Sequence, residues 1–403
     1  MTASINDGIG LEPGAQPPGG SWPAVLSIAA GTFFLVLTEF LPIGMMTPIA
    51  QGLGVSEGQA GLVVTSPGLM GAIAAPGLML MVRGTDRRIL LWLMTGLIIA
   101  SNVIAALAPT LAILVAGRVL LGIGVGGLWT FAVPAARRLV PENAGGRATA
   151  LVAAGISVGT VVGIPAGAII SDWLGWRAAF WMLALLGGGV LIAQVLALRP
   201  IPVLNRLGLR DLVALLHVPK ARVGLIAIVL VTSGHFMAYT YLEPFLRIVP
   251  RLGQNALSWA LLLYGLAGVA GTFLAERALA KGTRLAFSGA AILLALAVFA
   301  TALCGSDVVA AFALIAMWGC AFGAIPVCIQ IWMYQAAPAA FEGGSALFVG
   351  VFQIALAGGA FFGGLLVDAR GLMTAFVTAS VLAAGAAVFI AVFGRDSPTE
   401  TIA

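Results

Sequence analysis

The chain has 403 residues, of which 61% are hydrophobic and 9% charged, against about 45–50% and 25% in soluble domains, so a soluble globular fold is excluded. Its formal net charge of +5 comes from 20 basic residues scattered through short gaps, which form no continuous stripe and exclude a nucleic-acid surface. The 53 glycines and 20 prolines follow no G-X-Y period, and no segment alternates apolar with polar residues as membrane-barrel strands do, leaving an all-α integral membrane protein.

Residues 1–21 lack the basic-then-apolar pattern of a cleaved leader and are expected as a mobile tail. Each apolar run of about 20 residues can span a bilayer. Such runs lie at roughly 22–48, 58–82, 89–108, 111–135, 147–171 and 178–199. A charged gap at 200–220 follows, holding Arg206, Arg210, Asp211, His217 and Lys220, and is the expected cytoplasmic linker. Six further runs lie at roughly 221–247, 256–279, 284–303, 307–336, 342–367 and 371–394, ahead of a tail at 395–403. The expectation is twelve transmembrane helices in two six-helix bundles, 22–199 and 221–394.

Of the 20 basic residues, Arg177, Arg247, Arg251 and Arg370 fall on one side of this map, Arg118 lies inside a span and the other fifteen fall on the opposite side. The positive-inside rule makes the fifteen-residue side cytoplasmic, with both termini and the linker. An offset of 196 lays 163–180 over 359–376 with six identities in eighteen positions: Gly163/Gly359, Gly167/Gly363, Asp172/Asp368, Gly175/Gly371, Ala179/Ala375 and Phe180/Phe376. That offset joins the fifth and sixth helices to the eleventh and twelfth, as two parallel repeats require.

Two motifs of soluble enzymes lie in the wrong context. Gly122, Gly124 and Gly127 spell G-x-G-x-x-G, and Gly155, Ser157 and Gly159 spell G-x-S-x-G. The first needs a strand before a helix and the second a strand-turn-helix elbow, whereas both sit inside apolar helices. Gly155, Gly159 and Gly163, with Pro165 and Gly167, instead bare one face of the fifth helix for close packing. Cys304, Cys320 and Cys328 lie in apolar stretches and are expected to pack; no metal, cofactor or enzyme site is expected.

Ionisable groups inside spans point to function, because each is expensive unless it faces a cavity or partner. Glu39 in the first helix and Arg118 in the fourth lie at similar depth and are expected to meet, either as a proton relay or as a permanent ion pair. His235 near the middle of the seventh helix shares a face with Tyr239; Tyr241 turns elsewhere, and Glu243 either serves the cavity or marks the outer interface. Asn102, Trp129, Trp318, Gln330 and Gln353 are further candidates for a substrate cavity, with packing as the competing role. Pro42, Pro48, Pro67, Pro76, Pro165 and Pro326 are expected to bend or break their helices.

The segments TEFLPIGMMTPIA (38–50), GRVLLGIGVGG (117–127), GIPAG (163–167), GWRAAFW (175–181) and HFMAYTYLEPF (235–245) resemble the major facilitator superfamily. More narrowly, they resemble its bacterial twelve-helix drug/proton antiporters, in the branch of sugar and purine ribonucleoside efflux. The resemblance implies the major facilitator fold, an inner-membrane location and proton-coupled efflux of a small organic solute, such as a sugar or purine ribonucleoside. It places Arg118 in proton transfer and makes the Gly155–Gly167 motif that of an antiporter. The second-to-third helix loop keeps Asp86, Arg87 and Arg88 of the family's gating motif but has Met81 where its first aspartate belongs. The implied partners are the solute, protons and lipid, with the chain acting as a monomer. Multidrug or phenicol efflux, or a membrane receptor or scaffold without turnover, are the alternatives.

Overall fold

The structure, a computed structural model, describes residues 21–82, 85–201, 217–336 and 341–394; both tails and most of the expected linker lie outside them. Among the described residues, twelve helices are long and apolar enough to cross a membrane. They are α1 (Trp22–Leu53), α2 (Glu57–Leu78), α3 (Arg87–Leu107), α4 (Leu111–Arg138), α5 (Glu142–Leu174) and α6 (Trp176–Ala197), then α7 (Pro219–Tyr239), α8 (Gln254–Leu279), α9 (Thr283–Cys304), α10 (Val308–Ala336), α11 (Leu347–Arg370) and α12 (Leu372–Phe393). Among the described residues there is no strand, as apolar spans that must satisfy their own backbone require. The count and order agree with the sequence reading. The bounds differ most at α7, which ends at Tyr239 rather than 247, at α5, which covers Glu142–Leu174 rather than 147–171, and at α1, which runs to Leu53 rather than 48.

That extension follows from a helix break. The first helical segment ends at Phe40, a 3₁₀ turn covers Leu41–Met45 around Pro42, and the helix resumes at Met46. The break in α7 is similar: the helix ends at Tyr239 and a short helix, Leu242–Ile248, continues it.

Within each half, α1 packs on α5, α2 on α4 and α3 on α6, and correspondingly α7 packs on α11, α8 on α10 and α9 on α12. The glycine ladder sets the first of these contacts. A Cβ at Gly155 would meet the Ala29 carbonyl, at Gly159 that of Phe33, at Gly163 the Leu37 backbone and at Gly167 the Leu41 carbonyl, each 126 positions earlier. In the second half Gly359 faces Ser233 and Gly363 faces Met237, again 126 positions apart. The repeat offset of 196 therefore carries one glycine-to-backbone register into the other. It also pairs Gly175 (φ 83°) with Gly371 (φ 84°), left-handed residues that start α6 and α12.

Across the halves, α2 lies along α11 and α5 along α8. The described hydrogen bonds between halves join the mid-membrane to the face poor in Arg and Lys. Ser56 Oγ donates to Asp368 Oδ2 at 2.6 Å and the Gly58 N–H to Oδ1 at 3.1 Å. The Thr47 N–H donates to Glu243 Oε2 at 2.9 Å, and Gln254 Nε2 donates to the Ala168 carbonyl at 2.7 Å. Phe40 and Phe236, themselves 196 positions apart, stack on the pseudo-axis with ring centroids at 6.1 Å. The molecule is closed on its arginine-poor face.

Candidate functional site

Arg118 is fully buried on α4, and its hydrogen bonds explain why. Nη1 donates to the Thr38 carbonyl and Nε to the Val63 carbonyl, both at 3.0 Å, and Nη2 donates to the Glu39 carbonyl at 3.2 Å. A helical carbonyl normally receives the N–H four residues later, and proline has none. Pro42 follows Thr38 by four residues and Pro67 follows Val63 by four. Arg118 thus supplies hydrogens to two carbonyls that their own helices cannot serve. It ties α4 to the broken part of α1 and to α2.

The expected meeting of Arg118 with Glu39 takes a different form. The guanidinium bonds the Glu39 backbone, and among the described residues it makes no ion pair with the carboxylate. The Glu39 side chain, 3% exposed, instead accepts from Gln353 Nε2 of α11 at 3.2 Å. This bond links the two halves at the level of the α1 break. Gly68 of α2 lets α11 approach here, since a Cβ there would lie 3.2 Å from the Gln353 carbonyl, while one at Gly71 would make ordinary contact with Gln353 Nε2 at 3.5 Å.

His235 occupies the position of Glu39 in the second half, at the offset of 196. It is fully buried in an aromatic cluster. Trp318 Nε1 donates to His235 Nδ1 at 3.1 Å, while the Tyr264 hydroxyl lies 3.4 Å from Nε2. An indole N–H only donates, so Nδ1 is unprotonated and the Nε2 tautomer faces Tyr264. Phe322 stacks on the imidazole, and Tyr239 lies with its ring centroid 4.6 Å away, on the shared face that helical spacing predicts.

Other candidates lie elsewhere. Tyr241 turns away, as expected, and its hydroxyl donates to the Ala360 carbonyl at 2.8 Å. Glu243 is buried in the arginine-poor seam, where it accepts from Thr47 and pairs with Arg247. Burial pushes its carboxyl above the usual range, and the Thr47 N–H and Arg247 offset this in part. Asn102 is buried, donating to Thr38 Oγ1 at 3.3 Å and to the Ile98 carbonyl at 3.0 Å. Trp129 is half-buried and Gln330 exposed, both toward the arginine-rich ends of their helices. Cys328 is buried, Cys320 half-buried and Cys304 exposed.

Near the second-to-third helix loop, Asp86 caps α3 through the Arg88 N–H and accepts from the Ile201 N–H, each at 2.9 Å. Arg87 lies over Phe131 of α4 at 4.4 Å and Arg88 over Trp92 at 4.9 Å. These residues hold α3 to α4 and to the segment after α6 without an aspartate at position 81. Asp368, Thr47, Ser56 and Tyr264 were not singled out from sequence. The repeat offset carried a signal for two of them, matching Asp368 to Asp172 and Thr47 to Glu243.

Residues 28–347 match the model of the Major Facilitator Superfamily. The chain is 30% identical over 362 residues to the purine ribonucleoside efflux pump NepI of Shigella dysenteriae, covering 90% of this chain and 92% of that protein. It is 34% identical over 371 residues to the protein named transcription regulatory protein OpdE in Pseudomonas aeruginosa, covering 90% and 91%. Among solved structures, a bacterial homologue of the human lysosomal transporter Spinster, inward-facing and occupied, superposes with a TM-score of 0.72 at 16% identity, covering 93% of this chain and 98% of that one. The human organic anion transporter MFSD10 superposes with a TM-score of 0.67 at 17% identity, covering 93% and 100%. Twelve membrane-crossing helices in two repeated halves, and a family match over most of the length, place this chain in the Major Facilitator Superfamily as a multi-pass membrane transporter.

Proposed function

We propose that the chain exports a small organic solute of the purine ribonucleoside class in exchange for protons, by alternating access. The solute class rests on similarity to purine ribonucleoside efflux pumps across nine-tenths of both chains. The observation that carries proton coupling is Glu39: a carboxylate buried at the α1 break, at the seam between halves, bonded to the opposite half rather than paired with the nearest cation. A group so placed exchanges its proton with whichever side the halves expose. Arg118, fixed on carbonyls beside it, supplies a positive field that is not consumed by an ion pair.

On this reading the arginine-rich face and both termini are cytoplasmic in a bacterial inner membrane. The structure then corresponds to the inward-facing state of a monomer. One proton entering down about 100 mV releases about 2.3 kcal/mol and one pH unit adds about 1.4, enough to concentrate a neutral solute several-hundred-fold.

The test is counterflow of labelled inosine, adenosine and guanosine in proteoliposomes, with and without an imposed pH gradient, comparing wild type with Glu39→Gln. The proposal expects exchange in both and gradient-driven accumulation in wild type alone. Accumulation retained in the variant removes Glu39 from coupling. A second reading, a membrane sensor that regulates without turnover, is favoured by the name of the OpdE relative. It predicts nucleoside binding without counterflow.

A further inference from the structure

We propose that Gln353 is a positioning residue that prevents this exchanger from returning empty: its amide holds the halves closed on the arginine-poor face while Glu39 is ionised. The inference rests on the proton-coupled reading above. Gln353 and Glu39 lie 314 positions apart in opposite halves, with Gln353 2% exposed and its Nε2 3.2 Å from Glu39 Oε1. Any movement that opens the arginine-poor face must part α11 from α1 and α2, and so break this bond. Arg118 from α4 is the other charged group beside Glu39, and its described hydrogen bonds go to three backbone carbonyls. When the halves part, the ionised carboxylate therefore loses the one side-chain partner described for it.

A proton exchanger leaks when its empty, deprotonated form changes sides, because each such return lets another proton in with no solute leaving. A bond from Gln353 to a carboxylate is charge-assisted and opposes that return. Protonating Glu39 leaves a weaker neutral bond, so the proton-loaded form passes between the two states more freely than the ionised one. Gln353 Oε1 is buried without a hydrogen-bond partner, and a solute N–H or O–H donor that displaces the packing around it would find an acceptor there. Engaging it draws the amide away from Glu39 and releases the tie when cargo is present. The seam thus reads proton and solute through one side chain.

The experiment is proton influx into proteoliposomes holding pyranine, under an inward pH gradient with potassium and valinomycin and no solute present. Wild type is compared with Gln353→Met, Gln353→Asn, Glu39→Gln and the double variant Glu39→Gln/Gln353→Met. Gln353→Met keeps the side-chain length and loses the bond; Gln353→Asn keeps the amide one methylene short. Elution profile and thermal unfolding show whether each variant folds. Loss of one charge-assisted bond is expected to raise influx about tenfold or more in both Gln353 variants. The double variant is expected to be as tight as Glu39→Gln. Unchanged influx in folded Gln353 variants overturns the proposal, as does a leak that persists in the double variant, which would report loosened packing. Neither result touches the role of Glu39, which fails on its own if Glu39→Gln still accumulates nucleoside along a pH gradient.

Discussion

The clearest quantitative consequence concerns Arg118. Its replacement by Met strips donors from the carbonyls of Thr38, Glu39 and Val63, and prolines four residues on leave Thr38 and Val63 without the usual helical donor. Each buried carbonyl left unpaired costs about 1–3 kcal/mol, so the two proline-orphaned groups together account for about 2–6 kcal/mol. Removing a buried guanidinium also relieves its own desolvation, which lowers the net loss in the single variant. The coupling between positions is therefore the diagnostic quantity. Pro42→Ala restores an N–H to the α1 backbone and should recover about 1–3 kcal/mol when Arg118 is Met. In the presence of Arg118 it should recover little, because Thr38 is already served. The assay is SDS-driven unfolding in mixed micelles across the four-member cycle, with Pro67→Ala as a second, independent cycle. Strict additivity in both cycles, within about 0.5 kcal/mol, would refute the account of Arg118 as donor to the helix breaks.

Two further outcomes follow from the seam and the glycine face. A Cβ at Gly155 falls on the Ala29 carbonyl and 2.9 Å from Thr32 Oγ1, whereas at Gly163 its nearest neighbour is 3.7 Å away. Gly155→Ala is expected to be destabilising by about 1–3 kcal/mol, and Gly163→Ala neutral or stabilising by up to about 1 kcal/mol; thermal unfolding in detergent that ranks them the other way rejects this packing. At Glu243 a carboxyl held above its ordinary value of 4.5 in the closed seam means that the closed form binds the proton more tightly than the open, solvated form. Closure is favoured as pH falls through the window between the raised and ordinary values, and opposed above it. Glu243→Gln, which still offers Thr47 an acceptor, should weaken the pH dependence of closure, leaving the part due to Glu57 beside it, and strengthen closure at neutral pH. Spin-label distances between Gln51 and Ile248 report this, and an unaltered pH response in the variant counts against it.

Much of the architecture is legible in the chain, because a bilayer leaves the backbone so few options. Apolar length alone sets twelve spans, the basic residues sort the connecting segments, and the repeat at 163–180 and 359–376 foretells the shared register that brings Gly163 to Leu37 and Gly359 to Ser233. Of the prolines expected to bend or break their helices, Pro42 lies at an interruption, whereas Pro67, Pro76, Pro165 and Pro326 lie inside continuous helices. What serves the carbonyls that prolines leave without a donor is not local. Nothing in the spacing of Pro42, Pro67 and Arg118 says that one guanidinium serves both carbonyls, since that depends on how α1, α2 and α4 cross. Similar depth puts Glu39 and Arg118 within reach of one another, yet the side chain of Glu39 turns to Gln353, a residue of the other half. Pairing between halves changes as the halves move, so one-dimensional pattern carries little of it. The sequence by itself determined a helical membrane protein of two repeated halves with a few charges it must house. The tertiary structure decided which of those charges serve the backbone, which meets the opposite half, and which close the arginine-poor face, because each depends on helix crossings that only packing selects.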